Sequence, residues 1–265
     1  MLAPPMRFDI VTLFPELFAP FLESGVTRRA FEVGGPVQVR LWNLRDFAEG
    51  NYRRVDDRPF GGGPGMVLMP EPLARGLAAV RAERAAAGAP PAPVVLFSPV
   101  GERIAHPLIE REAATGQPGA ILLCGRYEGL DQRFIDQEVD QQWSLGDFVL
   151  SGGEIAALAV LDAVARLQPG VLNDAGSYQE DSFSPALDGL LDCPHYTRPE
   201  VWESRAVPAE LLSGHHARIE RWRREQSLLA TARQRPELIA AARAAGKLNK
   251  ADEHFLMHMA AGKPG

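Results

Sequence analysis

Ala120-Ile-Leu-Leu-Cys-Gly-Arg-Tyr-Glu-Gly-Leu-Asp-Gln-Arg133 and Trp143-Ser-Leu-Gly-Asp-Phe-Val-Leu-Ser-Gly-Gly-Glu-Ile-Ala-Ala157 decide how this chain is read. A short acidic connector separates them. Each holds an apolar run that opens onto a polar, glycine-rich loop: Ala120–Cys124 stops at Gly125, and Phe148–Leu150 stops at Ser151-Gly152-Gly153. A helical pattern begins at Glu154. Glycines at strand ends let the backbone turn tightly and approach a ligand closely. In α/β sheets the loops at the carboxyl ends of strands are where ligands sit. Two such loops in succession point to a small molecule held between them.

Working outward, strands and helices alternate through the first two-thirds of the chain. Phe8–Phe14 is a β-branched apolar run ended by Pro15, Glu16–Phe31 has helical spacing, and Pro36–Trp42 alternates as a strand. Asn43–Met69 is a long polar stretch containing Arg53, Arg54, Asp56, Arg58 and Gly61-Gly-Gly-Pro-Gly65. It suits either a backbone grip on an anionic ligand or a mobile loop with a tight turn. No Gly-Lys-Ser/Thr follows, so it is not a nucleotide phosphate loop. Pro70–Gly88 is helical, Val94–Phe97 is a strand ending at Ser98-Pro99-Val-Gly101, His106–Thr115 is a short helix, and Ile155–Leu167 is an apolar helix stopped by Pro169-Gly170. Asn173–Pro185 reads as a mobile linker. Ala209–Trp222, Arg223–Arg233, Pro236–Ala245 and the tail are helical, the tail fraying at Gly262. This order predicts a parallel sheet covered by helices, followed by helices alone. The GxGxxG of a Rossmann fold is missing after the first strand, and the glycine loops come late.

The composition excludes several classes. The chain of 265 residues is 46% hydrophobic and 23% charged, ordinary for a globular protein with a sizeable core. No apolar run reaches the roughly 18–20 residues of a membrane helix. The opening Met-Leu-Ala-Pro-Pro-Met lacks the apolar stretch of a signal peptide. Cys124 and Cys193 make neither a disulfide framework nor a CxxC pair, so a reducing cytoplasm is expected. Net charge is −6, yet Arg198–Arg243 carries nine arginines against six glutamates. Such patches, and the Arg53/Arg54/Arg58 cluster, are either solvated faces or an anion-binding surface. His215-His216 has no carboxylate or cysteine at ligand spacing, and no metal site is expected from it. Cys124, ending an apolar strand, is expected to be a buried core residue and not a nucleophile.

Seven segments, in order, carry a resemblance to a known family: Leu13-Phe-Pro-Glu16, Val55-Asp-Asp-Arg-Pro-Phe-Gly-Gly-Gly-Pro-Gly-Met66, Cys124-Gly-Arg-Tyr-Glu-Gly129, Trp143–Glu154, Glu180-Asp-Ser-Phe183, Leu190-Leu-Asp-Cys-Pro-His-Tyr-Thr-Arg-Pro199 and Leu212-Ser-Gly-His-His216. Together they resemble the bacterial tRNA (guanine-N1)-methyltransferases, of the SPOUT superfamily of knotted methyltransferases. Gln141-Gln142 stands where acidic residues are common, His215 where Asn is usual, and Ala-Leu-Asp around Leu187 lengthens the approach to the last third.

The resemblance implies an α/β fold of SPOUT type, with a parallel sheet and a C-terminal trefoil knot, followed by a small all-helical domain. Residues 1–172 would be the knotted domain binding S-adenosylmethionine, 173–186 a flexible linker, and 187–265 a helical tRNA-binding domain. It implies a homodimer. The cofactor would rest in three loops: Leu96, Phe97, Ser98, Pro99 and Gly101; Gly125, Tyr127, Glu128 and Gly129; and Ser144, Leu145, Gly146, Asp147, Phe148, Val149, Leu150, Gly152 and Gly153. The substrate implied is tRNA, methylated on N1 of the guanosine immediately 3′ of the anticodon (tRNA position 37). Guanine N1 carries a proton and is a poor nucleophile, so the reaction needs a base near N1 and a cation near O6. By resemblance Asp181 is the base, facing the other subunit's cofactor, and Arg166 is the cation. Arg53, Arg54, Asp56, Arg58, His195, His215, Arg218 and Arg221, with Arg223 and Arg224, would contact the tRNA. The family is also associated with Mg2+, with Asp181 or substrate oxygens as ligands, although the sequence has no metal motif. The partners implied are the anticodon loop and a second copy of the chain, with neither DNA nor a membrane. A knotted enzyme acting on another RNA, or a non-catalytic RNA-binding relative, are the rival readings. Intact Asp181, Arg166 and all three loops disfavour the second.

Overall fold

The computed structural model describes residues 5–173 and 176–261; the tail expected to fray at Gly262 lies outside them. The chain forms two compact units, Met1–Asn173 and Asp174–Gly265.

The first unit is built on nine elements that frame its sheet: β1 (Met6–Thr12), β2 (Val37–Asn43), the short pair β3 (Asp56–Asp57) and β4 (Val67–Leu68), β5 (Val94–Arg103), β6 (Ile121–Leu123), β7 (Gln141–Ser144), and the flanking helices α1 (Ala19–Leu22) and α2 (Arg28–Phe31). Four longer helices cover the sheet: α3 (Pro70–Ala86), α4 (His106–Ala113), α5 (Gln132–Glu138) and α6 (Glu154–Arg166). The main sheet has the order β2-β1-β6-β5-β7, every neighbour parallel. Strand alternation feeds two cores. Phe8, Ile10, Leu122 and Trp143 pack on one face with Val160, Leu161 and Val164 of α6. Val11, Val94, Leu96, Ile121 and Leu123 pack on the other with Leu77 and Val80 of α3 and Phe134 of α5. Side chains that alternate between two buried faces explain why these strands read as continuous apolar runs.

The order matters for the site. β6 lies on one side of β5 and β7 on the other, so the chain crosses β5 between them. The carboxyl ends of these three strands therefore stand together at the point where the strand order reverses, the position that makes a crevice in open α/β sheets.

Some expected elements differ. The Glu16–Phe31 helix is instead α1 and α2, preceded by a 3-10 turn at Pro15–Leu17; Pro20 and Gly25, at φ 72, interrupt it. The connector after Gly129 contains α5, capped by Asp131, whose carboxylate accepts the Arg133 amide at 3.0 Å. Phe148–Leu150 is not a strand but an exposed loop, and the strand lies earlier, at Gln141–Ser144.

The second unit holds α7 (Gly176–Gln179), β8 (Val201–Trp202), β9 (Arg205–Ala206), α8 (Ala209–Leu212), α9 (His216–Gln234), α10 (Pro236–Ala244) and α11 (Lys250–Ala261). It is therefore not all-helical, since β8 and β9 form an antiparallel ribbon. The helix break falls at Ser213-Gly214, and α9 runs unbroken through Trp222 and Arg223. Leu190, Leu228, Ile239 and Ala242 form its core. The segment expected to be a linker carries turns of its own: Ser184 Oγ donates to the Gln179 carbonyl at 2.6 Å, and the Phe183 amide donates to the Leu190 carbonyl at 2.8 Å.

Candidate active site

A cavity of about 480 Å3 opens where β5, β6 and β7 end. Three loops wall it. The first comes from within β5. That strand pairs with β7 up to Phe97, then again from Glu102, both facing Trp143, so Ser98–Gly101 bulges out of register. The second follows β6 and runs from Gly125 to Gly129. The third follows β7 and runs from Ser144 to Gly153 into α6. Its Gly153 amide donates to the Gly125 carbonyl at 3.1 Å, tying the third loop to the second.

Of the residues expected at a cofactor, Leu96, Phe97, Ser98, Pro99, Gly125, Tyr127, Glu128, Gly129, Ser144, Leu145, Gly146, Phe148, Val149, Leu150, Gly152 and Gly153 all line this cavity. Two do not. Gly101 packs against the β7 backbone, where a Cβ would lie 2.4 Å from the Trp143 amide nitrogen. Asp147 points to solvent in an ion pair with Arg103 at 2.6 Å. Arg126, within the second loop, also lines the cavity, and the structure adds residues outside the three loops: Leu130, Gln132, Ile135, Gln142, Trp143 and Ala156. Gln132 and Ile135 come with α5; the Asp131 cap followed by Phe134 and Ile135 was the available signal for that helix.

The cavity suits a nucleoside-sized ligand. Its floor is apolar, from Leu96, Leu130, Ile135 and Trp143, and much of its rim is loop backbone, able to read an adenine edge without a charged side chain. Glu128 supplies a carboxylate for a cationic group. Arg126 Nε is buried and makes no hydrogen bond among the described residues. Cys124, beneath the second loop, is fully buried. Burial, and after it the charge of Glu154, hold its thiol well above the usual cysteine range, so it stays protonated and inert.

The long polar loop reaches the same place. The Glu128 amide donates to the Met66 carbonyl at 2.9 Å, and the Leu68 amide donates to the Gly129 carbonyl at 2.9 Å. Arg53, at φ 42, pairs with Asp46 at 2.8 Å, Arg54 pairs with Asp57, Arg58 is exposed and Asp56 is half-buried in β3. Arg166 closes α6 and does not line the cavity. It stands about 18 Å along the helix axis from Glu154.

In the second unit, Asp181 is half-buried and His195 bonds Asp192 at 2.7 Å. His215 precedes α9, its side chain making no cap. Arg218, Arg221 and Arg223 are exposed, with Arg221 paired to Glu225 at 2.9 Å. Arg224 corrects an expectation: its guanidinium is spent inside the unit, on Asp252 at 2.8 Å and Asp188 at 2.9 Å. Among the described residues the one cluster with metal-ligand spacing is Asp192, Cys193 and His195.

A late, glycine-walled cavity at the strand-order reversal of a parallel sheet marks a nucleotide- or cofactor-binding α/β protein without the Rossmann loop. Comparison with known proteins gives the family. The family model described as tRNA (Guanine-1)-methyltransferase TrmD matches residues 6–241. The chain is 70% identical over 251 residues to a protein of Paracidovorax citrulli (strain AAC00-1), covering 95% of this chain and 97% of that one. It is 69% identical to one of Polaromonas sp. (strain JS666 / ATCC BAA-500), over 95% and 96% of the two chains. It is 56% identical to one of Janthinobacterium sp. (strain Marseille), over 96% and 100%. All three bear the name tRNA (guanine-N(1)-)-methyltransferase. The chain belongs to the tRNA (guanine-1)-methyltransferase family.

Proposed function

We propose that this protein transfers a methyl group from S-adenosylmethionine to N1 of the guanosine 3′ of the anticodon in tRNA. The observation that carries the proposal is the convergence of three separate loops on one cavity in a chain of this family. When bound, S-adenosylmethionine supplies an already activated methyl group. The residues that would hold it are the first-loop Leu96–Pro99, the second-loop Gly125–Gly129 and the third-loop Ser144–Gly153. The late order of these loops, each after a strand at the sheet reversal, agrees with the trefoil knot that the family implies.

The protein's own share of the chemistry is to move a proton and to place charge. Asp181 takes the N1 proton as general base, and Arg166 faces the negative charge that develops on O6. Arg166 sits at the far end of α6 from the glycine loop, so a single chain does not bring it to its own cavity by that helix. This supports a homodimer in which one protomer supplies Arg166 and Asp181 to the cavity of its partner. Arg53, Arg54, Arg58, Arg218 and Arg221 offer cations to tRNA phosphates, with Asp56, His195 and His215 as polar contacts. Mg2+ enters this reading through substrate oxygens; a group holding a thiol and an imidazole, as at Cys193 and His195, suits zinc better than magnesium. No helix of the described residues is long and apolar enough to cross a membrane, which fits an enzyme meeting tRNA in the cytoplasm.

Single-turnover methylation tests the roles. Asp181→Ala is expected to bind S-adenosylmethionine normally and to lose about 10²–10⁴-fold in rate. An unchanged single-turnover rate would remove Asp181 from the mechanism.

A further inference from the structure

Below the cavity, Thr12, Arg126 and Glu154 meet from three parts of the chain: the end of β1, the second loop and the start of α6. Glu154 is 1% exposed. Its Oε1 accepts the Thr12 hydroxyl at 2.7 Å. Its Oε2 stands 3.0 Å from Arg126 Nη2, at ion-pair distance but without hydrogen-bond alignment. Arg126 in turn lies over the Phe14 ring, 4.5 Å from its centroid, and Nη1 donates to the Ser151 carbonyl at 3.3 Å. The backbones of Arg126 and Gly152 form an isolated antiparallel bridge. A Cβ on Gly152 would stand 2.3 Å from Arg126 Nε and 2.5 Å from Glu154 Oε2. The glycine of the third loop is thus required by the ion pair beneath it.

A buried ion pair is a poor way to gain stability, because desolvation offsets much of its attraction. What it does provide is position. Glu154 fixes Arg126 from below, and Arg126 reaches over to the third loop by side chain and backbone. We infer that Thr12, Arg126 and Glu154 are a positioning brace that sets the gap between the second and third loops, with Glu154 at its centre. Glu154 does not line the cavity and acts on the cofactor through Arg126 and Gly152. Thr12 holds the carboxylate in the rotamer that faces Arg126.

The inference rests on S-adenosylmethionine as the occupant of the cavity. Three variants test it in the full-length protein: Glu154→Gln, which keeps an acceptor for Thr12 but removes the charge; Thr12→Val, which removes the hydroxyl at equal size; and Thr12→Ser, which restores it. Two quantities are read, cofactor affinity by calorimetry and amide hydrogen exchange. Glu154→Gln and Thr12→Val are expected to bind S-adenosylmethionine about tenfold more weakly, with Thr12→Ser within about threefold of the wild type. Exchange should quicken in 125–129 and 144–153 and stay slow in β1 and the body of α6. Wild-type affinity and exchange in both Glu154→Gln and Thr12→Val overturn the brace. So does weakened binding with exchange raised throughout β1 and α6, which would mark a general loss of structure. A wild-type protein that takes up no S-adenosylmethionine overturns the assignment of the cavity instead, and the exchange pattern still decides the brace.

Discussion

Gly65 approaches Glu128 so closely that a Cβ on it would lie 2.3 Å from the Glu128 carboxylate oxygen. The glycine has φ 81, in the left-handed region. This joins two motifs far apart in sequence, the polar loop before β4 and the loop after β6. What a side chain at position 65 would displace is the movable end of Glu128, which lines the cavity, and not the packed core. Gly65→Ala should therefore cost function more than stability. Methylation kcat/KM is expected to fall by about tenfold or more, while the left-handed backbone costs only about 1–2 kcal/mol of stability. Steady-state kinetics beside a thermal melt separates the two; unaltered kcat/KM would show that the polar loop does not set the Glu128 position.

Stability of the first unit depends on a polar network inside its sheet. Asp9 is fully buried and accepts from Arg7 at 2.6 and 3.0 Å, from Trp42 Nε1 at 2.9 Å and from Arg84 at 2.8 Å. Arg84 also caps the carbonyls of Arg7, Pro90 and Pro118. Removing the carboxylate takes the shared counter-charge from two buried guanidiniums, leaving Arg7 its contact with Glu83 and Arg84 its backbone carbonyls. Asp9→Ala is expected to cost about 3–5 kcal/mol in urea unfolding, against about 1 kcal/mol for the hydrogen bond lost in Trp42→Phe. A cost for Asp9→Ala below that of Trp42→Phe would contradict this account.

Cys193 offers a pH test. Burial first, then the charge of Asp192, push its thiol up to about 11 from 9.0. Because the folded value lies above the unfolded one, the group stabilises the fold fully below the unfolded value, and that contribution disappears as pH rises through the folded one. Alkylation by iodoacetamide should accordingly be slow at pH 8 in the native protein, rise toward pH 11, and become fast at pH 8 in denaturant. Fast native alkylation at pH 8 would show an accessible, ordinary thiol.

Arginines of the second unit should divide by what they already hold. Arg218 is exposed, and Arg221 is exposed and paired with the half-buried Glu225, so their alanine variants should weaken tRNA binding and lower the salt slope by about one each. Arg224 is tied to Asp252 and Asp188, so Arg224→Ala should lower the melting temperature of this unit. A salt slope changed by Arg224→Ala alone would reverse the assignment.

Much of the fold was legible because the sheet is buried on both faces. Phe8–Phe14, Val94–Phe97 and Ala120–Cys124 are apolar runs with little polar interruption, and such runs announce a covered parallel strand. The glycine loops were legible as punctuation after those runs. What escaped has physical causes. Gln141–Ser144 is a strand with two glutamines, formed because Trp143 plugs the core and β5 offers its edge. Phe148–Leu150 has strand-like composition but spends its apolar surface on the cavity rim. Helix α5 was hidden by its charged exposed face. The brace was invisible because no local spacing joins Thr12, Arg126 and Glu154; only the strand order β1-β6-β5-β7 brings them together.

The most direct measurement gives the full-length protein S-adenosylmethionine labelled in its methyl group and two unmodified tRNAs, with G or A immediately 3′ of the anticodon, and locates the label by nucleoside mass spectrometry. N1-methylguanosine is expected in the G form and no label in the A form. Label on both forms, or on another atom or base, would contradict the proposed function.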